Sequence, residues 1–137
     1  MKKIITWSVL GILICMVILV GVVGYNIYNG DHTAGFNVSI HNKMNIEISG
    51  LKILCGENTV NVPTIKGKEK IKVNVSTEQV VGESGMVICY LDKNNNEQRE
   101  ILVGYLEGGY CGNVFVELLS IDGNGKIKFK IEEKTVY

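Results

Sequence analysis

The ten residues from Gly104 to Asn113, GYLEGGYCGN, hold four glycines, two phenols, a carboxylate and a thiol. Such a stretch could form a phosphate cradle, a reactive-cysteine loop or a turn between strands. A phosphate cradle needs a glycine loop that opens a helix, so that backbone amides face the anion. The segment that follows, VFVELL, predicts a strand instead, and no Gly-Lys-Ser/Thr closes the motif. We therefore predict a hairpin connection whose glycines occupy turn and bulge positions.

Other candidate catalytic and metal-binding motifs are incomplete. The histidines, His32 and His41, accompany no nucleophile signature such as G-x-S-x-G. The segment DKNNN at 92–96 places oxygen ligands at alternate positions, as calcium loops do. An EF-hand would then need glycine and a twelfth-position glutamate, where this chain has Glu97 and Val103. An asparagine-rich turn is the simpler interpretation, and we expect no enzyme activity, metal or other cofactor.

Three cysteines, Cys55, Cys89 and Cys111, lie outside the apolar N-terminal segment. They allow one disulfide and one leftover thiol in any of three pairings, and the sequence does not choose among these. A thiol-dependent redox protein or enzyme that uses Cys111 or Cys89 is therefore an alternative to a non-enzymatic role.

The run 4–24, IITWSVLGILICMVILVGVVG, contains no charged residue. At about 1.5 Å per helical residue it can cross a hydrocarbon core about 30 Å thick. Lys2 and Lys3 precede it, which predicts that residues 1–3 are cytoplasmic and the remainder of the chain is outside. A cleaved signal peptide is disfavoured because the run is long and the best cleavage site, after Gly24, is weak. We predict an uncleaved transmembrane anchor in a cell membrane.

Residues 25–35 are polar and aperiodic and predict a linker, whereas a period of two recurs throughout 36–137. A change of apolar parity at Ser49-Gly50 predicts a β-bulge, and DGNG at 122–125 predicts a hairpin. Seven or eight short strands with frequent turns predict an all-β, antiparallel β-sandwich of immunoglobulin-like architecture. No Cys…Trp…Cys pattern supports membership of the immunoglobulin family itself.

The charge balance argues against nucleic-acid binding. The net charge is zero, and apart from the two N-terminal lysines 12 basic residues face 14 acidic ones. Arg99 is the only arginine. We infer no basic patch or arginine fork for nucleic acid, and no nucleotide site.

Together these features resemble a small single-pass exported protein of a Gram-positive-type bacterium. Abundant lysine with scarce arginine and proline is typical of an AT-rich bacterial genome. We predict a non-enzymatic envelope module that binds a protein or cell-wall partner, with Tyr105, Glu107 and Tyr110 as contact residues. The alternative binding role is that of an accessory subunit of a membrane complex.

Overall fold

The computed structural model describes Met16 and residues 34–136, with side chains described as far as residue 134. Apart from Met16, the predicted cytoplasmic end and anchor lie outside the described residues, as does most of the predicted linker. Within the described part, no helix is long and apolar enough to cross a bilayer. The strands belong to one compact unit, which spans Thr33–Tyr137.

Within residues 34–136 the period of two in the sequence corresponds to eight strands, which confirms the prediction of seven or eight. The strands are β1 (Gly35–Asn42), β2 (Lys52–Cys55), β3 (Asn58–Asn61), β4 (Lys70–Ser76), β5 (Ser84–Leu91), β6 (Glu97–Leu106), β7 (Cys111–Ile121) and β8 (Ile127–Val136).

The strands form two four-stranded sheets. Sheet 1 has the order β4-β1-β7-β8 and sheet 2 the order β3-β2-β5-β6. Five strand pairs among the described residues are antiparallel, but β1 and β7 are parallel. The prediction of an antiparallel arrangement is therefore wrong for this pair. The reason is that β1 and β7 are far apart in sequence, so no hairpin fixes their relative direction.

One hydrophobic cluster lies under both sheets, an arrangement consistent with a β-sandwich. Phe36, Val38 and Ile40 alternate along β1 and are fully buried, and Ile53 and Ile88 of sheet 2 belong to the same cluster. Successive side chains of a strand point to opposite faces of the sheet. A strand with one face on the core and one toward solvent therefore carries apolar residues at every second position.

Asn42 organises the irregular chain at the end of β1. Its side chain is fully buried, and its Nδ2 donates to the carbonyl oxygens of Ile46 at 2.7 Å and Lys66 at 3.0 Å. Its Oδ1 accepts from the Met44 amide at 3.0 Å. The amide thus joins the segments around residues 46 and 66, which lie outside the strands, and its own buried polar atoms are satisfied.

The predicted bulge at Ser49-Gly50 is wrong, because this segment lies outside the strands. Gly50 has a φ of 76°, which a glycine adopts without strain. Nearby, Ile48 forms only an isolated antiparallel bridge with Ile65. The parity change therefore marks irregular chain between β1 and β2.

Candidate functional site

Three connections meet at the end of the domain where β1 begins: the turn 56–57, the loop 77–83 and the turn 107–110. The last of these contains the centre of GYLEGGYCGN. It joins β6 of sheet 2 to β7 of sheet 1, so it crosses between sheets. The hairpin prediction for this stretch is therefore wrong. The sequence pattern of strand, turn and strand is the same for a hairpin and for a crossing between sheets. Here β6 pairs with β5, whereas β7 pairs with β1 and β8, so the two strands belong to different sheets.

The turn 107–110 and the loop 77–83 are locked together. Thr77 is fully buried, and its hydroxyl donates to the Tyr110 carbonyl oxygen at 2.6 Å. Gly108 lies so close that a Cβ there would be 2.6 Å from the Val80 carbonyl oxygen. Gly109 has a φ of 90°, in the left-handed region. These two glycines are thus explained by close packing and turn geometry.

The structure brings the three predicted contact residues together. The Tyr105 hydroxyl donates to a Glu107 carboxylate oxygen, and the Tyr105 and Tyr110 rings lie 6.2 Å apart, inclined at 66°. The hydrogen bond to Glu107 raises the pKa of Tyr105 to about 12, with smaller contributions from burial and nearby negative charge. Tyr105 therefore stays protonated and keeps this hydrogen bond at neutral pH.

Sequence reasoning missed the most exposed apolar side chain of the loop 77–83. Val81 is 95% exposed and follows Val80, whose carbonyl packs on Gly108. The three connecting segments hold four glutamates and neither lysine nor arginine. We call this surface the acidic tip, and its members are Val81, Tyr105, Tyr110, Glu57, Glu78, Glu83 and Glu107.

The calcium-like segment DKNNN forms a hairpin turn. Asp92 Oδ1 accepts from the backbone amides of Asn94 at 2.8 Å and Asn96 at 3.0 Å. Its Oδ2 accepts from Gln98 Nε2 at 2.9 Å. These hydrogen bonds, the Asn96 amide foremost, lower the pKa of Asp92. The alternating polar residues thus satisfy a turn, with Asn95 at a φ of 60°.

The segment DGNG repeats this turn and packs against it. Asp122 Oδ1 accepts from the amides of Asn124 and Lys126, each at 2.9 Å, and the Lys93 amide donates to the Asn124 carbonyl at 3.1 Å. The predicted hairpin at 122–125 is confirmed by the antiparallel pairing of β7 and β8. In the described part of the chain, no group of three or more His, Cys, Asp or Glu side chains is placed to hold a metal ion.

The three cysteines that the structure describes differ in exposure. Cys55 and Cys89 are buried free thiols, and Cys111 is half-buried at the start of β7. Burial raises the pKa of both Cys55 and Cys89, and the Glu97 charge adds to the rise at Cys89. A raised pKa keeps a thiol protonated and disfavours nucleophilic chemistry. Cys89 therefore lacks the environment of a reactive cysteine.

The outward face of sheet 1 is rich in lysine, which the regional charge count concealed. Phe115 of β7 lies at the centre of this face and is 37% exposed. Lys134 Nζ lies 5.6 Å from the centroid of its ring. We call this surface the lysine face, and its charged members are Lys43, Lys70, Lys72, Lys128, Lys130, Lys134, Glu117 and Glu132. Alternation along β4 and β8 was the available signal, since every second residue of a strand shares a face.

The outward face of sheet 2 carries an apolar row. Val87 of β5 is paired in register with Leu54 on one side and Ile101 on the other. Ile101 is 64% exposed, and Leu91 farther along β5 is 62% exposed. We call Leu54, Val87 and Ile101 the apolar row; the cross-strand row of Lys52, Cys89 and Arg99 separates Leu91 from it. Contiguous exposed apolar residues on an otherwise polar surface commonly mark protein contacts.

Comparisons with known proteins do not assign the chain to a family. No protein-family model matches it, and no curated protein matches it either. The chain is similar to a protein from Eubacterium rectale solved by NMR, with 18% sequence identity and a TM-score of 0.44. The similarity covers 76% of this chain and 94% of that one.

Proposed function

We propose that this protein is a non-enzymatic binding module, an immunoglobulin-like β-sandwich displayed outside a bacterial cell by the anchor at 4–24. The observation that carries the binding role is the acidic tip, where separate connections present aromatic and apolar side chains among four carboxylates. Its partner is a basic segment of another envelope protein.

The composition of the tip fits this partner. Tyrosine supplies a large contact area with few rotatable bonds, which is why it is enriched among residues that dominate binding energy. The carboxylates attract lysine and arginine, and the fully exposed Val81 offers apolar area to be buried. The Thr77 hydrogen bond and the tight approach at Gly108 hold these groups in place before binding.

The apolar row supports the second candidate function, an accessory subunit of a membrane complex. Ile101 of this row, and Leu91 farther along β5, would be covered by a partner subunit rather than by a basic segment. The two candidates therefore use different faces of the domain, and a single experiment distinguishes them.

The experiment places a photo-crosslinking amino acid at position 81, 101 or 95 in the full-length protein in its native membranes. If the protein is a binding module, we expect a discrete crosslinked adduct with its partner from position 81. We expect no such adduct from position 95, which lies in an exposed turn. Glu83→Lys should reduce that adduct at least about tenfold, because it reverses a charge that recognises the partner. Glu47→Lys, an exposed change outside the tip, is the matched control and should leave it unchanged.

An adduct from position 101 but not from 81 would overturn the acidic tip as the contact and favour the accessory subunit. Equal adducts from all three positions would contradict both specific contacts.

A further inference from the structure

The lysine face has a regular arrangement across all four strands of sheet 1. In one row Lys72 of β4 is followed by Ser39, Phe115 and Glu132 on the next three strands. The row beside it begins with Lys70 and ends with Lys130, with His41 and Glu117 between them. Lysines thus lie on both edge strands, with an aromatic ring between them.

Most of the acidic charge on this face is already engaged. Glu117 forms ion pairs with Lys43 at 3.1 Å and Lys130 at 3.6 Å, and the Lys43 hydrogen bond lowers the pKa of Glu117. Glu132 pairs with Lys134 at 3.4 Å.

By contrast, Lys70 and Lys72 make no ion pair with any described residue. The face therefore has six lysines against two glutamates, and two lysines without an ion pair to a described residue, Lys70 and Lys72, lie on the same side of β4.

We propose that the lysine face binds a linear anionic polymer of repeating polyol phosphate units. Lys70 and Lys72 are two positions apart on one strand, or about 6.6 Å, so they can meet successive phosphates. Lysine binds phosphate as a point charge and needs no fixed fork geometry. This proposal goes beyond the acidic tip, because it concerns a different surface and a ligand of opposite charge.

Phe115 and its neighbours suit the uncharged part of such a polymer. Phe115, Ser39 and Asn113 line a shallow concavity together with Lys70 and Lys72. An aromatic ring can pack against the C–H groups of a polyol, and hydroxyl and amide side chains can hydrogen-bond its oxygens. The alternation of cation and apolar ring therefore matches the alternation of phosphate and carbon chain.

Two other polyanions fit the face less well. Single-stranded nucleic acid is bound by several aromatic side chains on which successive bases stack, whereas Phe115 is the aromatic residue of this concavity. A lipid surface is bound by an apolar face that enters the acyl boundary, but here Phe115 is only 37% exposed and is bordered by polar residues.

The test uses full-length protein in nanodiscs of zwitterionic lipid and fluorescently labelled poly(glycerol phosphate) as the probe. We expect saturable binding that weakens with salt. The double variant Lys70→Gln/Lys72→Gln should weaken it at least about tenfold and reduce the slope of log K against log salt by about 1.4, since each phosphate contact contributes about 0.7 on a single strand. Phe115→Ala should weaken binding and leave that slope unchanged.

The double variant Lys66→Gln/Lys126→Gln removes the same charge from exposed positions outside the lysine face and should bind like the wild type. An equal loss in this control would overturn the proposal, as would no binding by the wild type. The proposal would also fail if single-stranded DNA or phosphatidylglycerol vesicles displaced the probe at lower phosphate concentration than unlabelled polymer. Crosslinking from position 81 tests the acidic tip separately, because Lys70→Gln/Lys72→Gln should leave that adduct unchanged.

Discussion

Replacing Asn42 with alanine should lower the free energy of unfolding by about 3 kcal/mol, because several buried backbone groups lose their partner at once. The Asn42 amide is fully buried and serves the carbonyls of Ile46 and Lys66 and the amide of Met44. Each buried group left unsatisfied costs about 1–3 kcal/mol. Because water partly reaches the exposed chain around residue 46, we expect a cost near the lower end of this range for each of the three groups.

The measurement is urea unfolding of the full-length protein in nanodiscs, followed by tyrosine fluorescence. The matched control is Asn74→Ala, which removes an exposed asparagine with one long hydrogen bond of 3.4 Å to Asn37. We expect this control to change the free energy of unfolding by less than about 0.5 kcal/mol. Equal losses in the two variants would contradict the organising role of Asn42.

The variant Gly108→Ala should destabilise the domain by about 2 kcal/mol, because overpacking a close contact typically costs 1–3 kcal/mol. The added methyl group would lie 2.6 Å from the backbone oxygen of Val80, which cannot rotate away. The loop 77–83 must therefore shift, and the acidic tip should lose its preformed geometry. Hydrogen exchange of the amides in this loop should become faster than in the wild type.

Gly104→Ala is the matched control from the same ten-residue stretch. Nothing lies within 4 Å of its Cβ position, and Gly104 is not among the positive-φ glycines. We expect unchanged loop exchange and a stability change below about 0.5 kcal/mol. The packing of the turn 107–110 on the loop 77–83 would be contradicted if hydrogen exchange in the loop became faster in Gly104→Ala. It would also be contradicted if exchange in Gly108→Ala were no faster than in the wild type.

The sequence predicts the strands of this fold well and their partners poorly. Alternation along 70–75 and 127–131 marks β4 and β8, because burial of one face imposes a local period of two. The hairpin at 122–125 is equally local. By contrast, the parallel pairing of β1 with β7 and the crossing from β6 to β7 depend on long-range contacts that no local pattern specifies.

The candidate surfaces follow the same division. Tyr105, Glu107 and Tyr110 could be identified as a group because they lie within six residues. Val81 could not be joined to them, since its loop meets their turn only through the tertiary packing of Val80 on Gly108. The lysine face was hidden for a similar reason, because its cations come from separate strands and are balanced in the total charge by glutamates elsewhere.

The most direct test of the proposed role is the location of the domain in living cells. Alkaline phosphatase and green fluorescent protein would each be fused after Tyr137 of the full-length chain. Display outside the membrane predicts active phosphatase and a dark fluorescent protein. The fusion protein should be found in the membrane fraction with residues 1–24 still attached. A bright fluorescent protein with inactive phosphatase would place the domain in the cytoplasm and contradict the envelope role.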